Sequence, residues 1–366
     1  MTLSRPAMTR LKTTTRTVFA AAATIALVTA PATAFAADPA KPRPPKIKVL
    51  DTSVKAPFQI TYGRKTLLVS DGAASTVSKL SSKKLYELFK TPEGLSALAM
   101  NSRGDVAYGI QQGDAENGGP TTRAELVIKG KKQTHTADLL AYDKTSNPDQ
   151  AVSYGIDNPT PCQEAAFAAW GGAKYNGGVD SHPYAVAALD KTSWVVADAG
   201  GNDLLKVDEK GKVSTLAVLP RQASTITQEG ADALGLPACV VGAVYHFESV
   251  PTDVEVTKTG LLVSLLPGGP EDPSLGARGS VVHVDWQGKV TTVAGGFLGA
   301  TNLAVDPKGS IYVAEMFAGR ISKVENGKVS KYVDLPNALS LQFAHGNLYA
   351  GTLASPSGPG SIVSIR

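Results

Sequence analysis

Four residues with the chemistry of a cation site each open an apolar run: Glu93 in P-E-G-L, His182 in S-H-P-Y, Asp253 in P-T-D-V and Asn302 in T-N-L-A. Carboxylate and amide oxygens suit calcium or magnesium, and an imidazole would widen the choice to zinc or manganese. A metal held there could polarise a lactone carbonyl and activate water, with His182 as a further ligand or general base. The competing expectation is that Asp253 and Asn302 cap strand ends by bonding local backbone. A second constellation lies in the run PGGPEDPSLGARGS from Pro267. There Glu271 and Asp272 could hold a cation or a basic group, and Arg278 an anion, unless Arg278 braces the loop by pairing with one of the acids. A third is aromatic. Phe167 and Trp170 stand three apart on a short amphipathic stretch, Gln163 to Trp170, and Tyr245-His246-Phe247-Glu248 places further rings beside a titratable pair. These rings either wall a binding mouth or pack down on the body beneath. Asp71, Asp198 and Glu315 recur at one position of a repeated pattern, and a repeated acid is expected to be architectural, accepting N–H groups of its own turn or bonding the next unit. No G-x-S-x-G elbow is present, and Gly295-Gly296 follows a strand without opening a helix, which excludes a dinucleotide fingerprint.

Positioning these residues falls to a module of four short strands that returns along the chain. The best copies are HPYAVAALDKTSWVVADAGGNDLLKVDEKGKVSTLAVL from His182 and TNLAVDPKGSIYVAEMFAGRISKVENGKVSKYVDL from Thr301. Apolar runs bounded by Gly, Asn and Asp are hairpin signals, and a period near 40 residues marks a propeller or solenoid. Copies begin near Pro57, Gly94, His182, Val250, Thr301 and Ala338. The last stops after its third strand, SIVSIR, while Ile47-KVLD precedes the first copy without a unit of its own. The expected architecture is therefore an all-β, six-bladed β-propeller whose N-terminal strand closes the last blade, since closure pairs an edge that would otherwise be open.

In a four-stranded meander, the turns after strands one and three fall on one face, and those after two and four on the other. The former are minimal here. The long segments, 111–123, 141–181, 220–249 and 267–279, all belong to the latter, so one loop-rich face is expected to carry function. Cys162 and Cys239 are the only cysteines and lie in the two largest insertions. An even pair in an exported chain favours a disulfide, with two separate thiols as the alternative.

Export is read from the first 36 residues. Arg5, Arg10, Lys12 and Arg16 form a basic leader, Val18 to Thr29 an apolar stretch, and Ala34-Phe35-Ala36 a small-x-small cleavage signal without a twin arginine. Residues 37–46 form a Pro-rich linker and 47–366 the propeller, with insertions at 141–181 and 220–249. The formal charge of +4 for the whole chain is carried by the leader, so the remainder is near neutral. With no basic patch and no membrane-length apolar run, neither nucleic acid nor a membrane span is expected. A monomer is expected.

The runs VPTDVEV and LPGGPEDPSLGARGS, with the copies quoted above, resemble the ScyD/ScyE family of exported propeller proteins, across roughly residues 45–366. That resemblance implies fold and export and little chemistry. More distantly, VADAGGND resembles NHL-repeat propellers, and the blade openings resemble regucalcin/gluconolactonase propellers, which place Glu, Asn and Asp ligands at such openings; Glu93, Asp253 and Asn302 fall at comparable places. The sequence thus points to a secreted binding or scaffold protein for an extracellular protein, glycan or small metabolite, with no assured cofactor. Candidate ligand-binding residues are His182, Trp170, Tyr245, Glu271, Asp272 and Arg278. The alternative is a metal-dependent hydrolase or lactonase with calcium or magnesium on the axis.

Overall fold

The computed structural model describes residues 44–113, 119–270, 272–356 and 358–366. The leader and most of the linker lie outside them. The described chain is all-β, built of four-stranded antiparallel sheets. Six are meanders in which strands follow in chain order, opening with Pro57–Gly63 (sheet I), Leu95–Met100 (II), Pro183–Ala188 (III), Pro251–Val256 (IV), Ala300–Val305 (V) and Ala338–Ala344 (VI). Sheet VI supplies only three strands of its own, and its fourth is Ile47–Asp51, paired antiparallel to Ser361–Ile365 with Ile47 opposite Ile365. The expected pairing of the first described strand with the end of the chain is present.

Alternation explains the packing. Val186, Val254, Leu303, Leu341, Ile60 and Leu98 hold the same place in the six first strands, and each enters one of the apolar clusters. First strands contact one another in sequence from I to VI, and VI returns to I. Hydroxyl groups tie neighbours together: Ser96 Oγ donates to the Pro183 carbonyl at 2.7 Å, Thr252 Oγ1 to Ala300 at 2.7 Å, Thr301 Oγ1 to Ala338 at 3.3 Å, and Ser340 Oγ to Pro57 at 2.6 Å. Each satisfies a carbonyl that burial would otherwise leave unpaired. The repeated acids do the work expected of them. Asp71 accepts from the amides of Lys55 and Ala56, Asp198 from Ser181 Oγ and the His182 amide, and Glu315 from the Leu298 amide and Arg320.

A seventh sheet is absent from the sequence expectation. It joins Ser153–Gly155 and Lys174–Asn176 of the first insertion to Gln222–Thr225 and Val244–Phe247 of the second. Three helices accompany it. Helix α1 (Leu139–Ser146) is capped by Asp138, α2 (Pro161–Phe167) by Thr160 in a capping box with Gln163, and α3 (Gln228–Ala233) by Thr227. Cys162 and Cys239 form a disulfide across the insertions, and Gln163 Nε2 donates to the Cys239 carbonyl at 3.0 Å. Ile156, Phe167, Ala173, Ile226, Ala231 and Val240 give this module an apolar core of its own. Among the described residues, no helix is long and apolar enough to cross a membrane.

Candidate functional site

The four long segments meet. Beyond the shared sheet and the disulfide, the Gly268 amide of the 267–279 loop donates to the Glu248 carbonyl at 3.1 Å. Thr121 Oγ1 of the 111–123 segment donates to Asp180 Oδ1 of the first insertion at 2.6 Å. Where the seventh sheet faces the 267–279 loop, they enclose an apolar pocket of about 350 Å³. Its walls are Phe167, Trp170, Tyr175, Tyr245 and Phe247, with Ile226, Leu234, Leu236 and Leu275. The rings form a chain, Phe167 to Tyr245 at 5.2 Å and Tyr245 to Phe247 at 4.5 Å between centroids. Such contacts hold large apolar surfaces in fixed orientations. Phe167 and Trp170 divide the two roles open in the sequence: Phe167 is 3% exposed and packs down, whereas Trp170 is 57% exposed at the rim.

One polar corner interrupts the apolar wall. The Tyr175 hydroxyl is the hydrogen-bonding neighbour of both the Tyr245 hydroxyl and the Glu248 carboxylate. Burial raises the Glu248 carboxyl above its ordinary range, the nearby Asp149 charge adds to this, and the bond from Tyr175 opposes it. A half-buried carboxyl in an apolar pocket can accept a proton from, or pair with, a single basic or hydroxyl group of a ligand.

Arg278 braces its loop through main chain. Its guanidinium donates to the carbonyls of Gly268 at 2.8 Å and Pro270 at 3.1 Å, and covers the Phe247 ring at 4.4 Å. Asp272 Oδ1 accepts from the Ser274 amide at 2.8 Å as a local cap. Glu271 lies outside the described residues. Of the sequence candidates, Trp170 and Tyr245 line the pocket, Arg278 backs it through Phe247, and Asp272 supports the same loop. His182 lies elsewhere, half-buried beside Tyr184 at 5.5 Å between ring centroids, with its amide on Asp198. Tyr175 and Glu248 were missed as a pair, because the seventh sheet that aligns them is built from strands of three and four residues.

A second cavity, about 250 Å³, follows the axis of the first-strand circuit and is lined by Gln59, Thr61, Glu255 and Gln342 among others. Asp253 is 1% exposed, and both its oxygens are engaged. Gln59 Nε2, from sheet I, reaches Oδ1 at 3.1 Å, and the Leu303 amide reaches Oδ2 at 3.0 Å. Asn302 Oδ1 accepts from the Leu341 amide at 2.7 Å, while its buried Nδ2 has no partner. Glu93 is exposed, with its carbonyl accepting from Gln112 Nε2 at 3.0 Å. Among the described residues, no three His, Cys, Asp or Glu are grouped to hold a metal ion. As they stand, Asp253 and Asn302 do not fit a metal: their side-chain oxygens accept from amide donors on other sheets, not from the local backbone that the competing expectation named, while Glu93 is exposed and His182 lies apart from them. Asp253 and Glu255 both have raised carboxyl pKa values, through burial first, and for Glu255 also through the charge of Asp253.

No protein-family model and no curated protein sequence matches the chain. Among solved structures it is similar to a gluconolactonase from Xanthomonas campestris, 10% identical over 88% of this chain and 89% of that one, with a TM-score of 0.53. It is also similar to streptogramin B lyase (14% identical, 88% and 97% covered, TM-score 0.49) and to virginiamycin B lyase from Staphylococcus aureus (16%, 87% and 87%, TM-score 0.43). At these identities the likeness is one of fold. The likeness to the gluconolactonase agrees in fold with the distant resemblance to that class of propeller.

Proposed function

We propose that this chain is a secreted six-bladed propeller of the ScyD/ScyE type that captures a small, largely apolar ligand in the pocket between its disulfide-linked insertions and the 267–279 loop. The observation that carries this reading is the convergence of five aromatic rings on one polar corner, Tyr175–Tyr245–Glu248. The apolar walls suit an aromatic or alicyclic body. The corner suits one hydroxyl or amino group on it. Sheets I to VI serve as the six blades, and the seventh sheet with its helices serves as the pocket's frame.

A second reading, hydrolysis of a lactone in the axial cavity, draws on the Asp253–Glu255 pair. Two adjoining carboxyls with raised pKa values are a means of general acid–base work, and Glu255 lines the cavity. The fold likeness to a gluconolactonase favours this reading over a scaffold role. One design separates the two. A thermal-shift screen of neutral and basic aromatic fragments is expected to yield binders whose shift is lost in Trp170→Ala and Tyr245→Ala and kept in Glu255→Gln. Hydrolysis of glucono-δ-lactone by the wild type, abolished in Glu255→Gln and kept in Trp170→Ala, would reverse the order. A screen with no binder ends the pocket reading.

A further inference from the structure

Lys46, Lys48, Lys65, Lys83 and Arg366, with His345, line a groove of about 590 Å³ where sheet VI meets sheet I. Its lining holds no acid, and among the described residues none of the five cations forms an ion pair. The floor is apolar: Leu50, Leu67, Leu80 and Tyr349, drawn from both sheets, belong to one packed cluster. Separate stretches of chain bring the charges together, so no basic run in the sequence announces them. Hydrogen bonds fix the seam. The main chains of Lys46 and Arg366 pair at 2.8 and 3.2 Å, and the Leu85 amide of sheet I donates to Asp51 Oδ2 at 2.9 Å. Tyr62 of sheet I meets the His345 ring of sheet VI edge-on, 4.8 Å between centroids. Asn347, 4% exposed, accepts from Arg366 Nε and donates through Nδ2 to the His345 carbonyl at 3.0 Å, which holds the guanidinium at the groove. The neighbouring Lys83 ammonium, chiefly, lowers the Lys48 pKa, as like charges do.

The backbone adds an independent observation. Arg64-Lys65 joins the first two strands of sheet I and Ser82-Lys83 its last two, each a two-residue turn with φ positive at both positions: 48° and 61°, then 48° and 65°. Such turns favour glycine at the second position, because a side chain in the left-handed region crowds the following carbonyl. The matching turns of other sheets follow that preference. Asn326-Gly327 joins the last two strands of sheet V, and His345-Gly346 the first two of sheet VI. Sheet I thus carries lysine where these counterparts carry glycine, at both of its turns that edge the groove. Strain kept at two turns beside one cavity argues that the side chains serve the cavity rather than the turns. We propose that the groove binds a small organic anion bearing a tetrahedral oxyanion ester, phosphate or sulfate, with its head among Lys48, Lys65, Lys83 and Arg366 and its apolar body on Leu67, Leu80 and Tyr349. Ammonium groups act on such a head as point charges from several directions, and a lining without acids sets no repulsion against it. The apolar floor favours an ester over the free inorganic ion.

This inference is independent of the aromatic pocket and of the axial cavity. Its test titrates the full chain at low salt with phenyl phosphate, phenyl sulfate and inorganic phosphate by calorimetry. At least one ester is expected to bind more tightly than inorganic phosphate, and to weaken as sodium chloride is raised. The tighter ester names the head group. Lys65→Gly and Lys83→Gly should each weaken binding by about fivefold or more, since each removes a charge-assisted contact. Their melting temperatures should stay close to the wild type's, because glycine relieves the positive φ; a structural role alone would leave binding unmoved. Trp170→Ala should bind the ester like the wild type. No binding heat from either ester at millimolar concentration overturns the proposal, and so does undiminished binding when Lys65→Gly and Lys83→Gly are combined. Inorganic phosphate binding as tightly as both esters overturns the part given to the floor. Heparin bound through these lysines, with neither ester bound, would assign the groove to a polymer instead.

Discussion

Glu255 is the residue whose chemistry departs most from what its place in the sequence suggests. V-E-V within an alternating strand reads as an outward polar position, yet on the first strand of sheet IV it faces the axial cavity rather than bulk water. Its raised pKa has a definite sign for stability. The fold favours the protonated form, so the stabilisation is complete below the ordinary carboxylate range and is lost as pH climbs through the raised value. The wild type is therefore expected to lose melting temperature from about pH 5 to about pH 9, and Glu255→Gln to flatten that slope and exceed the wild type at the alkaline end. A slope identical in the two proteins would place the titration elsewhere. Asp71, Asp198 and Glu315 show the opposite case. Their recurrence alone announced an architectural role, because one site needs one set of residues and a repeat needs a bond in every copy. Asp253 and Asn302 were legible as polar residues at strand openings, but their partners, Gln59 three sheets away and the amides of Leu303 and Leu341, belong to other strands altogether.

At the scale of elements, the insertions form a small module whose parts are too short to hold themselves. Strands of three or four residues and helices of six to eight are unstable alone, and the disulfide supplies part of what local structure cannot. The bridge closes a separation of 77 residues. Cys162→Ser with Cys239→Ser is expected to cost about 2–4 kcal/mol by denaturant unfolding. In that variant the pocket should loosen while the sheets persist. Limited proteolysis checks this: new cleavages confined to 150–180 and 220–248 are expected, and equal cutting within sheets I to VI would show that the module is not a separate unit. The sequence pointed to the disulfide through the even cysteine count and the export reading. It did not point to the seventh sheet, because SYG, KYN, QAST and VYHF carry no usable period, and the two insertions pair only through Gly155 and His246, 91 positions apart.

For the whole molecule, the circuit of first strands makes the last sheet depend on the first described strand. Removing Ile47–Asp51 leaves Ser361–Ile365 as an open edge. Such a deletion is expected to lower the melting temperature and to produce concentration-dependent association through the unpaired strand, visible by light scattering. A deleted protein that melts and sediments like the parent would show that this pairing contributes little. Sequence alone determined the strand modules, their turns and the copy lacking a strand, because alternation, glycine-marked turns and repetition are local and survive reading in one dimension. It also singled out the long segments as the place to look for a site. Only tertiary structure decided which side chains share a space. The aromatic pocket and the basic groove between sheets VI and I each bring together residues from different strands, helices or loops. Burial, which sets the pKa values of Asp253 and Glu255, exists only once the chain has closed on itself.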